Sequence, residues 1–282
     1  MSGTLFDAIL KYEYLQNAYL AGAFIAFISP IFGSFVVAKK ASLIPDTIGH
    51  VSFAASTLTG LLIGLGILPA TTSPTLIVMI FVVAMAILIS QINNKYRGTQ
   101  DVALSFVMTF SLGLAIVLHQ LSPIKTDLST YLFGNIVTLT RLDVIYIMSV
   151  TGLAILFISI FYKKLLLSTF DAIFAKTKGY NFERIEMLFF ILLALIIAAS
   201  TKFVGVLLVA ALMNLPVMIT MAFTKSFKQT IIWSIVVSES MMFIGLISSY
   251  YLGLPTSGVV AILLGIAFLI VLIIKQLPKF KY

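Results

Sequence analysis

Apolar runs broken by short clusters of charge, proline and glycine recur along almost the whole chain. A helix needs about 20 predominantly apolar residues to cross the hydrocarbon core of a bilayer. That ruler gives nine candidate spans, near 16–38, 43–66, 72–92, 101–120, 143–162, 185–200, 203–223, 229–252 and 255–275. The sixth and seventh are separated only by Thr201, Lys202 and Phe203, so they form either a tight hairpin or a single broken unit, and the count is eight or nine. No connection is long enough to fold as a water-soluble domain of any size. The expected fold is all-α and polytopic, a single transmembrane domain over residues 1–282.

Composition agrees with the pattern. Hydrophobic residues make up 61% and charged residues 10% of the chain, against about 25% charged in soluble domains. The formal charge of +8 does not indicate nucleic acid, because most Lys and Arg stand at the ends of apolar runs, where they act as topology markers. Threading the spans with the N-terminus outside puts fourteen of the 18 basic residues in the cytoplasm and leaves only Lys11, Lys125, Arg141 and Lys202 outside. Basic residues favour the cytoplasmic side, so the expected orientation is N-out, C-in. Asp7, Lys11 and Glu13 precede the first apolar run, which is not the grammar of a cleaved signal peptide. The chain has no Cys, which removes disulfides and thiolate ligands and leaves His, carboxylates and neutral oxygens for any metal.

Three carboxylate or imidazole groups lie inside the spans beyond the two residues at either end. Asp46 and His50, in "SLIPDTIGHVSFAAS", are four residues apart and leave one face of a helix a turn apart. At about 1.5 Å per residue from Lys40, they lie about 9 and 15 Å into the membrane. Glu239, between Ser238 and Ser240, reaches similar depth counted from Lys228. A charged Asp at mid-helix costs about 2.5–3.5 kcal/mol unless a partner or water-lined cavity offsets it, so such residues are functional by default. Two carboxylates and an imidazole suit a divalent cation in transit, zinc or manganese. A proton relay, or a structural pair with Glu239 bonded to a serine or a backbone carbonyl, would use the same residues. Asn214, two residues before Pro216, either bonds a backbone group freed by that proline or lines the path.

Two connections carry recognisable content. "QLSPIKTDLSTYLFGNIVTLTR", on the outer side, fits a re-entrant or interfacial segment as well as a loop. On the inner side, "STFDAIFAKTKG" reads as a short helix started by Ser168 or Thr169, with Asp171 in its first turn, lysines in its last and Gly179 ending it. A cytoplasmic helix over 166–182 is a docking surface, or else lies on the membrane.

Absent motifs narrow the function. There is no G-x-x-x-x-G-K-[ST] loop, so any ATP belongs to another subunit. There is no H-E-x-x-H, so a zinc-dependent intramembrane protease lacks its ligands and base. A secondary, ion-coupled transporter would be expected to show internal repeats, and none is legible.

Five stretches in order resemble the permease subunits of bacterial zinc/manganese ABC importers: "GSFVVAKKASLIPDTIGHVS", "YLFGNIV", "STFDAIFAKTKGY", "VGVLLVAALMNLPVMIT" and "SYYLGLPTSGVVAILLG". The resemblance implies a homodimer of permeases in the bacterial plasma membrane, with no tightly bound cofactor. Zn2+ or Mn2+ would be the cargo, delivered by an extracellular metal-binding lipoprotein. Asp46 and His50 fall on the family's metal-carrying positions, with Glu239 matched by depth and helix. ATP-binding cassette subunits would dock around Phe170, Asp171, Ala175 and Gly179. "DTIGHVS" and "YLFGNIVT" are closer to the zinc importers of Gram-positive bacteria than to the manganese ones. "NLPVMIT" departs from the family's usual Pro-Ala-Ala block.

Overall fold

The computed structural model describes residues 7, 11–69, 74–95, 100–123, 128–135, 139–171 and 182–276. Among these, the regular structure is helical: α1 (Glu13–Ala38), α2 (Leu43–Gly64), α3 (Pro74–Lys95), α4 (Gln100–Leu121), α5 (Leu128–Phe133), α6 (Arg141–Phe170), α7 (Phe182–Met221), α8 (Phe227–Leu252) and α9 (Thr256–Gln276). All but the six-residue α5 are long and apolar enough to span a bilayer. Helices are the form to expect, since backbone in hydrocarbon must satisfy its own hydrogen bonds.

The 40 residues of α7 would extend about 60 Å if straight, twice the thickness of the hydrocarbon core. The helix is instead broken at Gly205, where φ 76° and ψ 163° mark a region essentially restricted to glycine. Packing on α1 reveals how far the chain turns. Before the break, Phe189 stacks on Phe32 with ring centroids 4.9 Å apart; after it, the Met213 carbonyl is pressed against Gly33. Adjacent residues of α1 thus touch widely separated residues of α7, so the two limbs lie side by side. The sixth and seventh predicted spans are the limbs of a hairpin, so among the described residues the eight long helices make nine passes between the two ends of the bundle.

Contacts between helix ends define the two faces. On one, Arg141 pairs with Glu13 at 2.6 Å, Lys202 near the hairpin apex pairs with Asp143 at 2.6 Å, and Ser257 Oγ donates to the Phe133 carbonyl. On the other, Lys39 pairs with Glu186 at 2.7 Å, and Phe227 meets both Phe35 and Phe170 edge to face. These are called the Arg141 face and the Lys39 face. An odd number of crossings leaves the start of α1 and the end of α9 on opposite faces.

The α7 hairpin is the centre of the bundle. It packs against α1, α2, α3, α5, α6, α8 and α9, and 78% of its most apolar stretch is buried, against 17% in α4 and in α9. Its apex is locked by close backbone approach. A Cβ on Gly134 would stand 2.1 Å from the Phe203 carbonyl oxygen, and one on Gly205 2.3 Å from that of Leu132. The Asn135 N–H donates to the Lys202 carbonyl across the same contact at 3.2 Å. This explains the glycine of "YLFG", and the outer segment proves to contain a short helix seated on the hairpin.

One local expectation moves. Ser168 and Thr169 do not start a new helix; they lie in the last turn of α6, where each hydroxyl donates back to the Leu165 carbonyl. Asp171 is the C-cap of α6, its N–H bonded to Leu167 O. The hydroxyls satisfied the sequence grammar of an N-cap, but the preceding apolar turns carry the helix through them. Ala175 and Gly179 lie outside the described residues.

Candidate functional site

α2 carries Asp46 in its first turn and His50 one turn on. The helix is held on its buried side by small and hydroxylated residues. Thr47 Oγ1 donates to the Leu43 carbonyl at 2.9 Å and reaches the Leu104 carbonyl of α4 at 3.5 Å. Gly49 lets the second limb of α7 approach so closely that a Cβ there would stand 2.6 Å from Val206 Cγ1. Small residues at such crossings allow tight packing where lipid provides no hydrophobic drive. Asp46 and His50 occupy the remaining side of α2 and are partly buried.

Among the described residues neither forms a hydrogen bond or ion pair, with each other or with another group, and His50 Nδ1 is buried without a partner. That arrangement is costly for polar groups in a dry interior, and it is not a structural hydrogen-bonded pair. Glu239, on α8, is likewise free of the serine or carbonyl bond that a purely structural role would require. The Ser240 hydroxyl donates instead to the Val236 carbonyl at 2.7 Å, while Ser238 Oγ is buried and unpartnered.

The structure brings Asp46 and His50 together but leaves Glu239 apart. α2 packs on α3, α4 and α7, whereas α8 packs on α1, α7 and α9, so the hairpin stands between them. Among the described residues no group of three His, Cys, Asp or Glu is gathered closely enough to hold a metal ion. Depth along each helix was legible in the sequence; the azimuth at which each helix faces its neighbours was not.

Asn214 is placed by the second limb of α7. Its Nδ2 donates to the Ser42 carbonyl at 3.2 Å, at the start of α2, rather than to a carbonyl freed by Pro216. Its Oδ1 is buried and unpartnered. Asn214 therefore ties the descending limb to the helix that carries Asp46 and His50.

One turn beyond His50 on α2, toward the Arg141 face, an apolar cluster begins. Phe53, Ala54, Ala115 and Val206 are buried together, with Leu112 and Tyr131 packed against them. The rings of Phe53 and Tyr131 lie 5.0 Å apart. Phe53, Tyr131 and Val206 fall within three of the stretches quoted from the sequence, but which of their residues meet is set by the packing of separate helices. A separate cleft of about 400 Å³ opens on the same face, lined by Tyr14, Tyr19, Phe133 and Tyr250 among others; none of Asp46, His50 or Glu239 lines it.

At the Lys39 face, Phe170 ends α6 exposed, its ring edge-on to Phe227 at 5.5 Å; Phe227 in turn meets Phe35 of α1 at 5.0 Å.

Comparison with known proteins matches residues 11–275 to the model of the ABC 3 transport family. The chain belongs to that family. It is a multi-pass component of the bacterial plasma membrane. The manganese transport system membrane protein MntC of Listeria monocytogenes is 27% identical over 94% of this chain and 91% of its own length. The zinc uptake membrane protein ZnuB of Haemophilus influenzae is 28% identical over 93% and 97%. Among solved structures, PsaBC from Streptococcus pneumoniae aligns with a TM-score of 0.80 at 26% identity, covering 98% of this chain and 96% of that one.

Proposed function

We propose that the chain is the permease subunit of an ATP-driven importer of divalent transition-metal ions, and that Asp46 and His50 carry the ion through the membrane. The observation that carries this reading is the pair itself: a carboxylate and an imidazole, one turn apart, inside the bilayer and bonded to nothing among the described residues. The carboxylate offsets part of the ion's dehydration cost and neutral imidazole contributes a borderline-soft donor.

Two ligands leave a four-coordinate ion short, and the partly buried side of α2 is where others must approach. A second copy of the chain, in a homodimer, is the source we assign. Glu239 enters as a carboxylate reached when helices move, not as part of a preformed site. Incomplete ligation suits transport, because a closed structural zinc site, worth about 10–16 kcal/mol, would hold its ion too long. The apolar layer of Phe53 and Tyr131 separates the pair from the Arg141 face, which the distribution of basic residues makes the outer one. A metal-loaded extracellular protein delivers there. ATP is hydrolysed by cassette subunits docked at the Lys39 face around Phe170, Asp171, Ala175 and Gly179, and the Phe170–Phe227–Phe35 contacts pass their motion to α8 and α1. Zinc is favoured over manganese as cargo on the motif likeness; relatives are named for both.

The test is uptake of radiolabelled zinc and manganese, each competed with the other, by cells carrying Asp46→Asn or His50→Ala. Both variants should reach the membrane and assemble with the ATPase while uptake falls to background. Normal uptake in both would refute the assignment. Uptake by the purified chain alone under a proton gradient would favour a secondary transporter instead.

A further inference from the structure

On the side of the hairpin away from α2, the helices α1, α6 and α8 leave a groove of about 520 Å³, lined by Phe27, Ile28, Ile31, Ile155, Ile158 and Ile231 among others. It occupies the half of the membrane nearer the Lys39 face, since α8 begins there and α6 ends there. The wall is aliphatic and aromatic except at one end. There Tyr162 and Lys228 line it, and neither side chain has a hydrogen-bond or ion-pair partner among the described residues. Ser159, the other polar lining residue, spends its hydroxyl on the Ile155 carbonyl at 2.8 Å.

An apolar trough ending in two uncommitted donors has the chemistry of one amphiphile. We propose that this groove binds an anionic glycerophospholipid, one acyl chain lying along Phe27, Ile31, Ile155 and Ile158, with the phosphodiester held between the Lys228 ammonium and the Tyr162 hydroxyl. The charge is complementary: a lysine at a helix end reaches the headgroup level, and Lys228 also lies in the first turn of α8, where the helix dipole favours an anion. A zwitterionic choline lipid brings its own cation and leaves the lysine uncompensated. A second copy seated here would bury that ammonium against a trough containing no carboxylate, which is unfavourable. The bound lipid would brace α6 against α1 and α8, the helices joined at the Lys39 face by Phe35, Phe170 and Phe227.

The experiment is native mass spectrometry of the full chain in mild detergent, titrated with equimolar phosphatidylglycerol and phosphatidylcholine of identical acyl chains. Phosphatidylglycerol should be retained over phosphatidylcholine by about fivefold, the weight of one lysine at an anionic surface. Lys228→Gln and Lys228→Glu should abolish that preference. Ile158→Trp, which fills the trough, should lower retention of both lipids while the thermal unfolding temperature holds. Lys275→Glu, a charge change at the end of α9, should alter nothing. Equal retention of the two lipids by the unmodified chain would overturn the proposal, as would a loss in Lys275→Glu matching that in Lys228→Glu. Disulfide cross-linking between copies through Ile155→Cys and Ile231→Cys would also overturn it, by making the groove a subunit interface.

Discussion

Lys39 and Glu186 form a 2.7 Å ion pair with side chains only 9% and 13% exposed, and the ammonium also lies over the Phe189 ring at 5.7 Å. The pair fastens the end of α1 to the start of the α7 hairpin. Glu13 and Arg141 are as close, at 2.6 Å, but 58% and 73% exposed. Removing one partner of a buried pair strands the other charge and costs about 3–5 kcal/mol, whereas exposed pairs contribute about 1 kcal/mol or less. Glu186→Ala should therefore lower the thermal stability of the detergent-solubilised chain far more than Glu13→Ala. Equal losses would mean that the Lys39 pair is hydrated.

Gly33 has no room for a side chain. A Cβ there would stand 1.8 Å from the Met213 carbonyl oxygen, and backbone cannot yield as a flexible side chain can. Gly33→Ala should destabilise by at least the 1–3 kcal/mol typical of overpacking, and Gly33→Leu should prevent stable expression. Size-exclusion profiles of fluorescent fusions would report both; a normal Gly33→Leu profile would contradict the α1–α7 contact.

Because the native chain contains no cysteine, single-cysteine labelling reads topology cleanly. With nine crossings, Tyr12→Cys should react with a membrane-impermeant maleimide in intact cells and Gln276→Cys only after permeabilisation. Labelling of both from outside would mean that α7 crosses once.

Phe53, one turn beyond His50 on α2, packs against Tyr131 at 5.0 Å, and in the proposed function this contact is the barrier between His50 and the Arg141 face. In a His50→Cys background, adding Tyr131→Ala should raise the rate of modification by a small external thiol reagent several-fold, since truncating a packed aromatic leaves a cavity beside the path. An unchanged rate would place the barrier elsewhere.

The membrane class and the span positions could be read directly, because the bilayer imposes its thickness on the length of every apolar run. The break between the sixth and seventh spans was visible too, but Thr201, Lys202 and Phe203 do not say whether the chain bends or reverses. Gly205 reverses it, and that required seeing Phe189 and Met213 against neighbouring residues of α1. Lys202 and Arg141 were legible only as topology markers; their partners Asp143 and Glu13 are set by which helix ends meet. Asn214 was marked by its place before Pro216, yet its partner, the Ser42 carbonyl, lies on another helix.

By itself the sequence determined that the chain lives in lipid, how deep its ionisable groups lie, and that Asp46 and His50 share a helix face, since these depend on helical rise and period alone. Only the tertiary structure decided that Glu239 stands across the α7 hairpin from them, that the pair has no partner among the described residues, and that Phe53, a turn further on, meets Tyr131. Those outcomes depend on the rotation of each helix about its axis, which is fixed by close packing of small residues such as Gly33 and Gly49 and leaves almost no trace in a sequence apolar on every side.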